Sequence, residues 1–435
     1  MALSPIELYN TVRPLFPNVT SNVVEAFIYR VSRELQNLGH AELAMLFTNT
    51  FARTLDTEIA FINSEEAAIS TGDIPAMWIR DSVNQVLHLA PFVSDPTVKL
   101  VLCGVVGRLS KCILVDPYAN AFNFDMSTSS SAHSDDATQM QPGVFERKFE
   151  LDSWASYIQL VNVVGHSCPH HAAGIEVAVE TILKKARLLQ RLDYSEYSFQ
   201  RGTFEPSETL RGGLMMPAAF TGMVPSAFRP SDDACQLPFH IPANAFFSME
   251  LAKLASATSA LPIALLQEAA LLSGEITQAI ETYGKIHHGK GFVYAYEVDG
   301  YGSVVFLDDA NLPSLISLPL TGYVNVNDRT YQTTRALLLS KKSNPSYFEG
   351  AISGVGSPHT GQGRVWPLAL MSQYLTASDP TEKHILLRHL IAIGEMNGLF
   401  PESVNVTEIS DLTRADFGWA NSFFSCVILA FLNIT

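Results

Sequence analysis

The sequence predicts an all-α protein that forms one domain over residues 1–435, with its functional loops gathered at one end. Apolar residues recur mostly at helical spacing rather than in the alternation typical of strands. Only 16% of the residues are charged, below the usual ~25%, so much of this long chain is able to lie in a core. Long segments rich in glycine and proline separate the helices, and no break in composition divides the chain.

The helices are predicted from their apolar faces. The first extends from Val23 to Leu35, with Asn22 as its cap and Gly39 beyond its end. A helix over 100–115 is apolar on most sides, which is typical of a helix inside a large assembly. The same spacing predicts further helices over 81–90, from 150 onward, and over 175–189, 386–393 and 423–432.

Two short strands and a set of long loops complete the predicted organisation. The strands, 293–296 and 303–307, are predicted to form a hairpin that turns at Asp299-Gly300. The loops cover residues 70–78, 121–149, 201–244, 287–325, 353–367 and 397–413. Loops of that length are usually functional or disordered, and the tryptophan, arginine, histidine and paired acids in these favour function.

The charge balance of the chain excludes two classes of partner. Its formal net charge is −15, so the basic surface that nucleic acids or anionic membranes require is absent. The most apolar run, 423–432, is too short to span a bilayer and is predicted to be a buried helix. The sequence therefore predicts neither a nucleic-acid partner nor membrane insertion.

Cysteine usage and the start of the chain leave its compartment open. The five cysteines are scattered and odd in number, so they do not form a disulfide framework; one or two bridges and buried free thiols are both compatible with the spacing. The first residues lack the basic and apolar regions of a signal peptide. Glycosylation sequons occur at Asn18, Asn405 and Asn433. Secretion, with a leader outside this chain, and a cytoplasmic location both remain open.

The segment Thr71 to Ser82 (TGDIPAMWIRDS) concentrates chemically active side chains in one loop and the first turn of a helix. A helix start needs only one capping side chain, yet Asp73, Trp78, Arg80 and Asp81 all occur here. Carboxylates and a guanidinium bind vicinal hydroxyls, and an indole covers the apolar face of a sugar ring. The alternative is a capped helix with a surface ion pair, but functional groups concentrate on loops. The segment therefore indicates a site for a polyhydroxyl ligand.

Further acids follow predicted turns or open predicted helices: Glu150 and Asp152, Asp232 and Asp233, Asp308 and Asp309, and Glu402. Capping of free N–H groups explains either Asp-Asp pair taken alone. Their presence in one chain with the Asp73/Asp81 loop favours catalysis. Glycoside cleavage needs one protonated and one ionised carboxyl group, and several acids crowded in one cleft provide both forms.

Other chemistries lack their sequence signatures. The chain has no HExxH, no GxSxG, no P-loop and no GxGxxG that opens a βαβ unit. The histidines and cysteine of 166–171 match no standard zinc spacing, and no EF-hand spacing surrounds Asp308 and Asp309. We therefore predict no metal site and no cofactor.

Seven segments in order carry a family resemblance. They are TGDIPAMWIRDS, DPYANAFNFD, FERKFELDS, TGMVPSAFRPSDDA, VYAYEVDGYGSVVFLDDANLPSLISLPLTGY, GVGSPHTGQGRVWPLAL and FGWANSFFS. Together they closely resemble glycoside hydrolase family 125, the exo-acting α-1,6-mannosidases, over roughly residues 40–432. The resemblance implies an (α/α)6 barrel whose site lies in loops at one end. It also implies an inverting mechanism without metal, and an oligosaccharide or mannan as substrate.

The resemblance also implies roles for individual residues. The general acid falls on Asp232 or Asp233, and the general base on Glu402, where the usual His-Glu-Ser motif reads Pro401-Glu402-Ser403. Inversion would place the two carboxyl groups about 6.5–9.5 Å apart. The groups that would hold the sugar are Asp73, Trp78, Arg80, Asp81, Arg229, Asp308, Asp309, Asn311, His359 and Trp366.

Two alternatives stay open at this point. Because Pro401 replaces the usual histidine, a related α-mannosidase with another linkage preference is one of them. The other is a mannan-binding homologue without turnover. The natural glycan and the oligomeric state do not follow from the sequence.

Overall fold

The apolar residues that recur every three or four positions lie on α-helices, as predicted. In the computed structural model, residues 12–14, 18–129, 133, 135–201, 216–256, 261–289 and 291–434 are described. The α-helices of these residues are α1 Asn22–Asn37, α2 Ala41–Thr50, α3 Ile79–Asn84, α4 Pro96–Val115, α5 Leu151–Val164, α6 Ala172–Gln190, α7 Ile241–Ser256, α8 Ile263–Ala279, α9 Leu318–Thr321, α10 Arg329–Leu338, α11 Pro367–Thr376, α12 Pro380–Gly394 and α13 Gly418–Phe431.

Every second helix belongs to a closed inner ring. Along this ring α3 packs on α5, α5 on α7, α7 on α9, α9 on α11, α11 on α13, and α13 again on α3. The intervening helices, among them α4, α6, α8 and α12, pack outside it. Tryptophans of three inner-ring segments, Trp154, Trp366 and Trp419, are each 1% exposed and fill the centre. This is the (α/α)6 barrel that the resemblance implies.

The start of each inner helix determines where the functional loops lie. Because inner and outer helices alternate, the inner helices run in the same direction and their N-termini meet at one end of the barrel. The segments that lead into these N-termini, together with the first turn of α3, contain all the residues predicted to act on substrate. The N-terminal end of a helix carries a partial positive charge that favours anions, so this end is suited to a carboxylate-rich site.

Helix boundaries follow local capping, with two departures from the predictions. The cap of α1 is Ser21, whose hydroxyl accepts the Val24 N–H, and Asn22 is its first helical residue. A serine hydroxyl accepts the free N–H of a helix start as well as an asparagine oxygen does, so the sequence alone did not show whether Ser21 or Asn22 is the cap. The helix that starts at Ile79 ends at Asn84, and a 3-10 segment containing Pro91 follows over Leu87–Phe92. Proline lacks the N–H that an α-helix interior uses.

The strands are short and form small antiparallel sheets beside the barrel. They are β1 Ile59–Ile62, β2 Ala67–Ile69, β3 Ala76–Trp78, β4 Ala121–Asn123, β5 Asp136–Ala137, β6 Val144–Glu146, β7 Gln200–Arg201, β8 Phe239–His240, β9 Lys285–His288, β10 Gly291–Tyr294, β11 Glu297–Val298, β12 Val304–Val305, β13 Tyr347–Phe348, β14 Gly354–Val355, β15 Arg364–Val365, β16 Ser403–Asn405 and β17 Leu412–Thr413. Three-stranded sheets have the orders β3-β4-β6, β12-β11-β8 and β15-β16-β17.

The predicted hairpin is present with a different first strand. β11 pairs with β12 across a turn at Asp299-Gly300, while β10 pairs with β9. Gly300 adopts a φ of +80°, which suits glycine, and Asp299 Oδ1 accepts the N–H groups of Tyr301 and Ser303. The prediction that 293–296 forms the first strand of this hairpin is therefore wrong. Val293 and Tyr294 belong to β10, which pairs with β9, the strand before it in the chain.

One disulfide connects α4 to the segment before α6. Cys103 and Cys168 are bridged, with a Cα–Cα separation of 5.3 Å. Cys112, Cys235 and Cys426 are free thiols. The spacing was compatible with one or two bridges and with free thiols. The structure contains both kinds of cysteine, one bridged pair and three free thiols. Within the described part of the chain, none of the helices is long and apolar enough to cross a membrane.

Candidate functional site

Arg80, in the first turn of α3, is the centre of a buried charge cluster. Its guanidinium lies 2.6 Å from Glu150, 3.3 Å from Asp152, 3.1 Å from Asp81 and 3.6 Å from Asp232. Burial raises the pKa of Asp81, and it raises the pKa of Asp152 to about 6, against the pull of Arg80 in both cases. The cluster joins the N-terminal turns of α3 and α5 to the loop that carries Asp232.

Asp232 and Asp233 lie in a tight turn, not at a helix start, so they do not cap a helix as the alternative interpretation required. The Asp232 N–H donates to the Arg229 carbonyl at 3.0 Å, and the Arg229 N–H donates to the Asp233 carbonyl at 2.8 Å. Asp232 has a φ of +68°, in the left-handed region that is costly for a residue other than glycine. The turn separates the two side chains: Asp232 is 22% exposed and faces Arg80, whereas Asp233 is 3% exposed and faces His359.

His359 forms an ion pair with Asp233 across the site. Its Nδ1 lies 3.0 Å from Asp233 Oδ1, and the Trp366 ring packs beside it with a centroid separation of 6.5 Å. The Trp366 indole N–H donates to Thr360 Oγ1 at 2.8 Å, which fixes this support. Burial opposes the imidazolium charge, but the hydrogen bond and charge of Asp233 raise the pKa of His359 to about 9.

We therefore expect His359 to remain protonated through neutral pH. Its pKa is above the ordinary 6.5, so the pair stabilises the fold fully below about pH 6.5, and this contribution is lost as the pH rises through about 9. NMR of protein labelled with 13C at histidine Cε1, with the signal assigned through His359→Gln, measures this titration. Asp233→Asn is expected to lower the pKa of His359. A wild-type pKa at or below 6.5 contradicts the ion pair.

The loop after β12 contributes two acids with different surroundings. Both oxygens of Asp308 accept backbone N–H groups, from Leu315 at 2.8 Å and Ile316 at 3.0 Å, so this carboxylate shapes the loop. Asp309 accepts the Ser231 hydroxyl at 2.7 Å. Burial raises the pKa of Asp309, and the charge of Asp233 adds to that effect.

Asn311 and Arg229 tie this loop to the Asp232 turn and to the sheet beneath it. Asn311 Nδ2 donates to the Pro230 carbonyl at 2.8 Å. Arg229 donates from Nε to Glu297 of β11 at 2.6 Å, and its guanidinium lies 5.2 Å from the centroid of the Tyr296 ring. The two contacts fix the turn from both sides.

Glu402 precedes β16 and is held by the loop that follows β17. Its Oε2 accepts the Thr413 hydroxyl at 3.0 Å, and its Oε1 lies 3.5 Å from Arg414 Nη1. Arg414 also lies 2.6 Å from Asp73, whose side chain is 47% exposed. Pro401 offers no side-chain donor, so the cations that face Glu402 are Arg414 and His359.

Several buried polar atoms of this region have no hydrogen-bond partner among the described residues. They include Arg80 Nε, Arg229 Nη2, Asp232 Oδ1, Asp233 Oδ2, Asp309 Oδ1, Asn311 Oδ1, Trp78 Nε1 and Trp419 Nε1. A buried polar atom left unpaired costs about 1–3 kcal/mol, so such atoms are rare and call for an explanation. These unpaired N–H donors and oxygen acceptors lie with the carboxylates at one end of the barrel. Such a set is suited to a ligand with many hydroxyl groups, because each hydroxyl both donates and accepts.

Ion pairs and hydrogen bonds therefore join the predicted residues into two groups, one around Asp232 and Asp233 and one around Glu402, with two exceptions. Asp308 faces its own loop, and Trp78 packs in a small apolar cluster with Phe145 at 5.5 Å between ring centroids. Within the described part of the chain, no group of three or more histidine, cysteine or acidic side chains is arranged to hold a metal ion.

Sequence reasoning missed two important members of the site. Glu150 was recognised only as one of several acids at a helix start, and its contact with Arg80 bridges 70 residues. Arg414 carries no motif of its own, and it adopts a left-handed φ of +41° between Glu402 and Asp73. One signal was available for Arg414. Glu402 has no basic neighbour in sequence, so its carboxylate needs a cation from another segment.

Comparison with known proteins finds one family over most of the chain. A family model described as metal-independent alpha-mannosidase (GH125) matches residues 40–429. The meiotically up-regulated gene 157 protein of Schizosaccharomyces pombe is 39% identical over 440 residues, covering 95% of this chain and 86% of the relative.

Solved structures give the same result. A metal-independent α-mannosidase of Streptococcus pneumoniae, in a non-productive complex with α-1,6-mannobiose, has a TM-score of 0.90 and 33% identity, covering 96% of this chain and 100% of that chain. A bacterial glucoamylase complexed with acarbose has a TM-score of 0.52 at 12% identity, covering 93% of this chain and 56% of that one, which shows a shared fold alone. The resemblance and the barrel predicted from it are confirmed.

Proposed function

Because the chain belongs to glycoside hydrolase family 125, the metal-independent α-mannosidases, we propose that it removes terminal α-1,6-linked mannose with inversion, as a single catalytic domain. The observation that carries this proposal is the convergence of unpaired buried donors and acceptors on Asp232, Asp233 and the loop of Asn311. A pyranose supplies the hydroxyl groups that pair with them. Exo action is part of this proposal because the family resemblance implies it.

Recognition of the terminal mannose is assigned to the charged rim of the pocket. Arg229, Asp233 and Asp309 are fixed by partners on one side and present a free or weakly held atom on the other. Such atoms are held in place before the sugar arrives, so binding costs little side-chain entropy. Asp73 is half exposed and paired with Arg414, which places it nearer the entrance.

Asp232 is assigned as the general acid. Asp233 is nearly inaccessible and forms an ion pair with the His359 cation at 3.0 Å, which suits a carboxylate that accepts sugar hydroxyls. Asp232 is more accessible, with 22% of its side chain exposed against 3% for Asp233, so it is the member of the pair better able to reach the glycosidic oxygen. Protonation of that oxygen lets the bond to C1 break with the electron pair leaving on oxygen.

Glu402 is assigned as the general base. Thr413 and Arg414 hold its carboxylate from one side of the pocket, while Asp232 enters from the Arg80 side. A base on the face opposite the leaving group deprotonates a water that attacks C1, which inverts the anomeric configuration. The product is therefore β-mannose when it is first released.

A proton NMR time course tests the function. We expect wild-type protein with excess EDTA to release β-mannose first from α-1,6-mannobiose, and to act more slowly on the α-1,2 and α-1,3 isomers. The α-1,6 preference rests on the relative that was solved with α-1,6-mannobiose. Early build-up of α-mannose would contradict inversion. Preference for another isomer would contradict the linkage, with Pro401 as the first residue to examine. Binding without hydrolysis of any isomer would contradict the enzyme itself.

A further inference from the structure

The cluster around Arg80 contains more acid than base. Four carboxyl groups lie within 3.6 Å of the one guanidinium: Asp81, Glu150, Asp152 and Asp232. The side chains of Glu150 and Asp152 are fully buried, so water does not screen their repulsion. An isolated buried charge is expensive, and such clusters reduce the cost by keeping a proton.

Glu150 and Asp232 share the Arg80 guanidinium, at 2.6 Å and 3.6 Å, and a side-chain hydrogen bond between them contributes to the pKa shifts of both. Two carboxylates have no proton to form such a bond, so the contact requires that the pair hold one. Burial, assisted by the charges of Asp232 and Asp152, raises the pKa of Glu150 well above its usual range, against Arg80. Burial opposes the charge of Asp232, but the hydrogen bond from Glu150 and the charge of Arg80 lower its pKa.

The other charged groups that face the pair act according to their sign. Lys148 and His359 face Asp232 and favour its ionised form, whereas Asp152 faces Glu150 and favours a protonated one. Asp81, Asp152 and Glu146 also face Asp232, and their negative charges oppose its ionised form. The neutral side chains of Tyr197 and Cys235 also lie near Glu150. The net effect of these groups and of the Glu150 hydrogen bond is a lowered pKa for Asp232, so Asp232 alone is poorly suited to keep the proton that a general acid needs.

We propose that Glu150 is the proton-holding partner of Asp232, a positioning residue that supplies the proton which Asp232 delivers to the glycosidic oxygen. This inference rests on the proposed function. The Glu150 O–H bond breaks as the Asp232 O–H bond forms, and the same proton passes from Asp232 to the oxygen as its bond to C1 breaks. Water gives its oxygen to C1 and one proton to Glu402. After product leaves, a proton returns from solvent to the pair and Glu402 releases its own.

The fixed geometry of Glu150 supports this role. Its Oε2 accepts Arg80 Nη1 at 2.6 Å and the Ser153 hydroxyl at 3.3 Å, while Asn120 Nδ2 donates to Oε1 at 3.2 Å. These contacts fix the carboxyl at the start of α5 and leave its remaining bonding capacity toward Asp232. A side chain that merely anchored Arg80 would not need contact with the acid.

The test compares two substrates with different needs for acid assistance. Cleavage of α-1,6-mannobiose requires protonation of an alkoxide, whereas fluoride leaves α-mannosyl fluoride with little help. We expect Glu150→Gln, whose amide donates a hydrogen bond but no transferable proton, to lower kcat/KM for mannobiose about 100-fold or more. Its kcat/KM for the fluoride should stay within about fivefold of wild type, because binding and the base are intact. The double variant E150Q/D232N should be no slower on mannobiose than D232N alone.

Asp152→Asn is the matched control, since Asp152 contacts the same arginine but makes no hydrogen bond with Asp232. Its ratio of mannobiose to fluoride activity should remain at the wild-type value. Equal losses on both substrates in E150Q, or a D152N ratio that falls as far as that of E150Q, would show that Glu150 only holds Arg80 and would overturn the proposal.

Two further measurements keep the test decisive. If E150Q melts below the assay temperature, Glu150→Asp, which keeps the charge opposite Arg80 but withdraws the carboxyl by one methylene, is expected to lower the same ratio; an unchanged ratio overturns the proposal. Wild-type protein that cleaves neither substrate would refute the proposed function instead, so the two failures are distinguishable.

Discussion

Glu402→Gln is expected to stop turnover of α-1,6-mannobiose while leaving binding nearly unchanged. The amide fits the same space and keeps a carbonyl oxygen for Thr413, but it accepts no proton from water. A lost general base typically costs about 10²–10⁴ in rate. Asp73 also contacts Arg414, but within the described residues only Glu402 accepts the Thr413 hydroxyl as well. Initial rates and calorimetric titration of the variant with mannobiose separate the two effects.

Two controls make this result specific to the base. Glu408→Gln removes an exposed acid from the same segment and should leave both quantities unchanged. Glu402→Ala opens space for a small anion, so azide should restore reaction with α-mannosyl fluoride and yield a β-mannosyl azide. Activity of E402Q near that of wild type, or an α-configured azide product, would refute the assignment.

The sequence predicts those parts of the site whose functional residues lie close together along the chain. The loop at Asp73 to Asp81 and the Asp232-Asp233 pair are local, since several functional groups lie within a few residues of each other. The ring of inner helices brings them together, and ring closure is a property of the whole chain. Sequence spacing alone gave helices, and the resemblance was needed to arrange them as a barrel.

What the sequence failed to separate was decided by contacts distant in the chain. Asp308 and Asp309 are neighbours, yet one accepts N–H groups from its own loop and the other accepts the Ser231 hydroxyl, 78 residues away. Arg414 became part of the site only because the loop after β17 folds back to Asp73, 341 residues distant. The spacing of apolar residues does not predict such contacts, because the partners of Asp309 and Arg414 lie in distant segments of the chain.

Rates on two substrates with different leaving groups distinguish the role of Asp232 from that of Asp233. We expect Asp232→Asn to lower kcat/KM for α-1,6-mannobiose by about 10³-fold, yet to retain most activity on α-mannosyl fluoride, because only the former reaction needs the acid. Asp233→Asn removes the partner of His359 and an acceptor for the sugar, so both substrates should suffer alike.

The choice between the two aspartates follows from the ratio of these rates, not from either rate alone. Both side chains lie in one strained turn, and any substitution there is able to disturb binding. Disturbed binding affects every mannoside, whereas a missing proton affects only those with a poor leaving group. A D233N protein that discriminates between the substrates, beside a D232N protein that does not, would move the acid to Asp233 and leave the proton of Glu150 without a catalytic recipient.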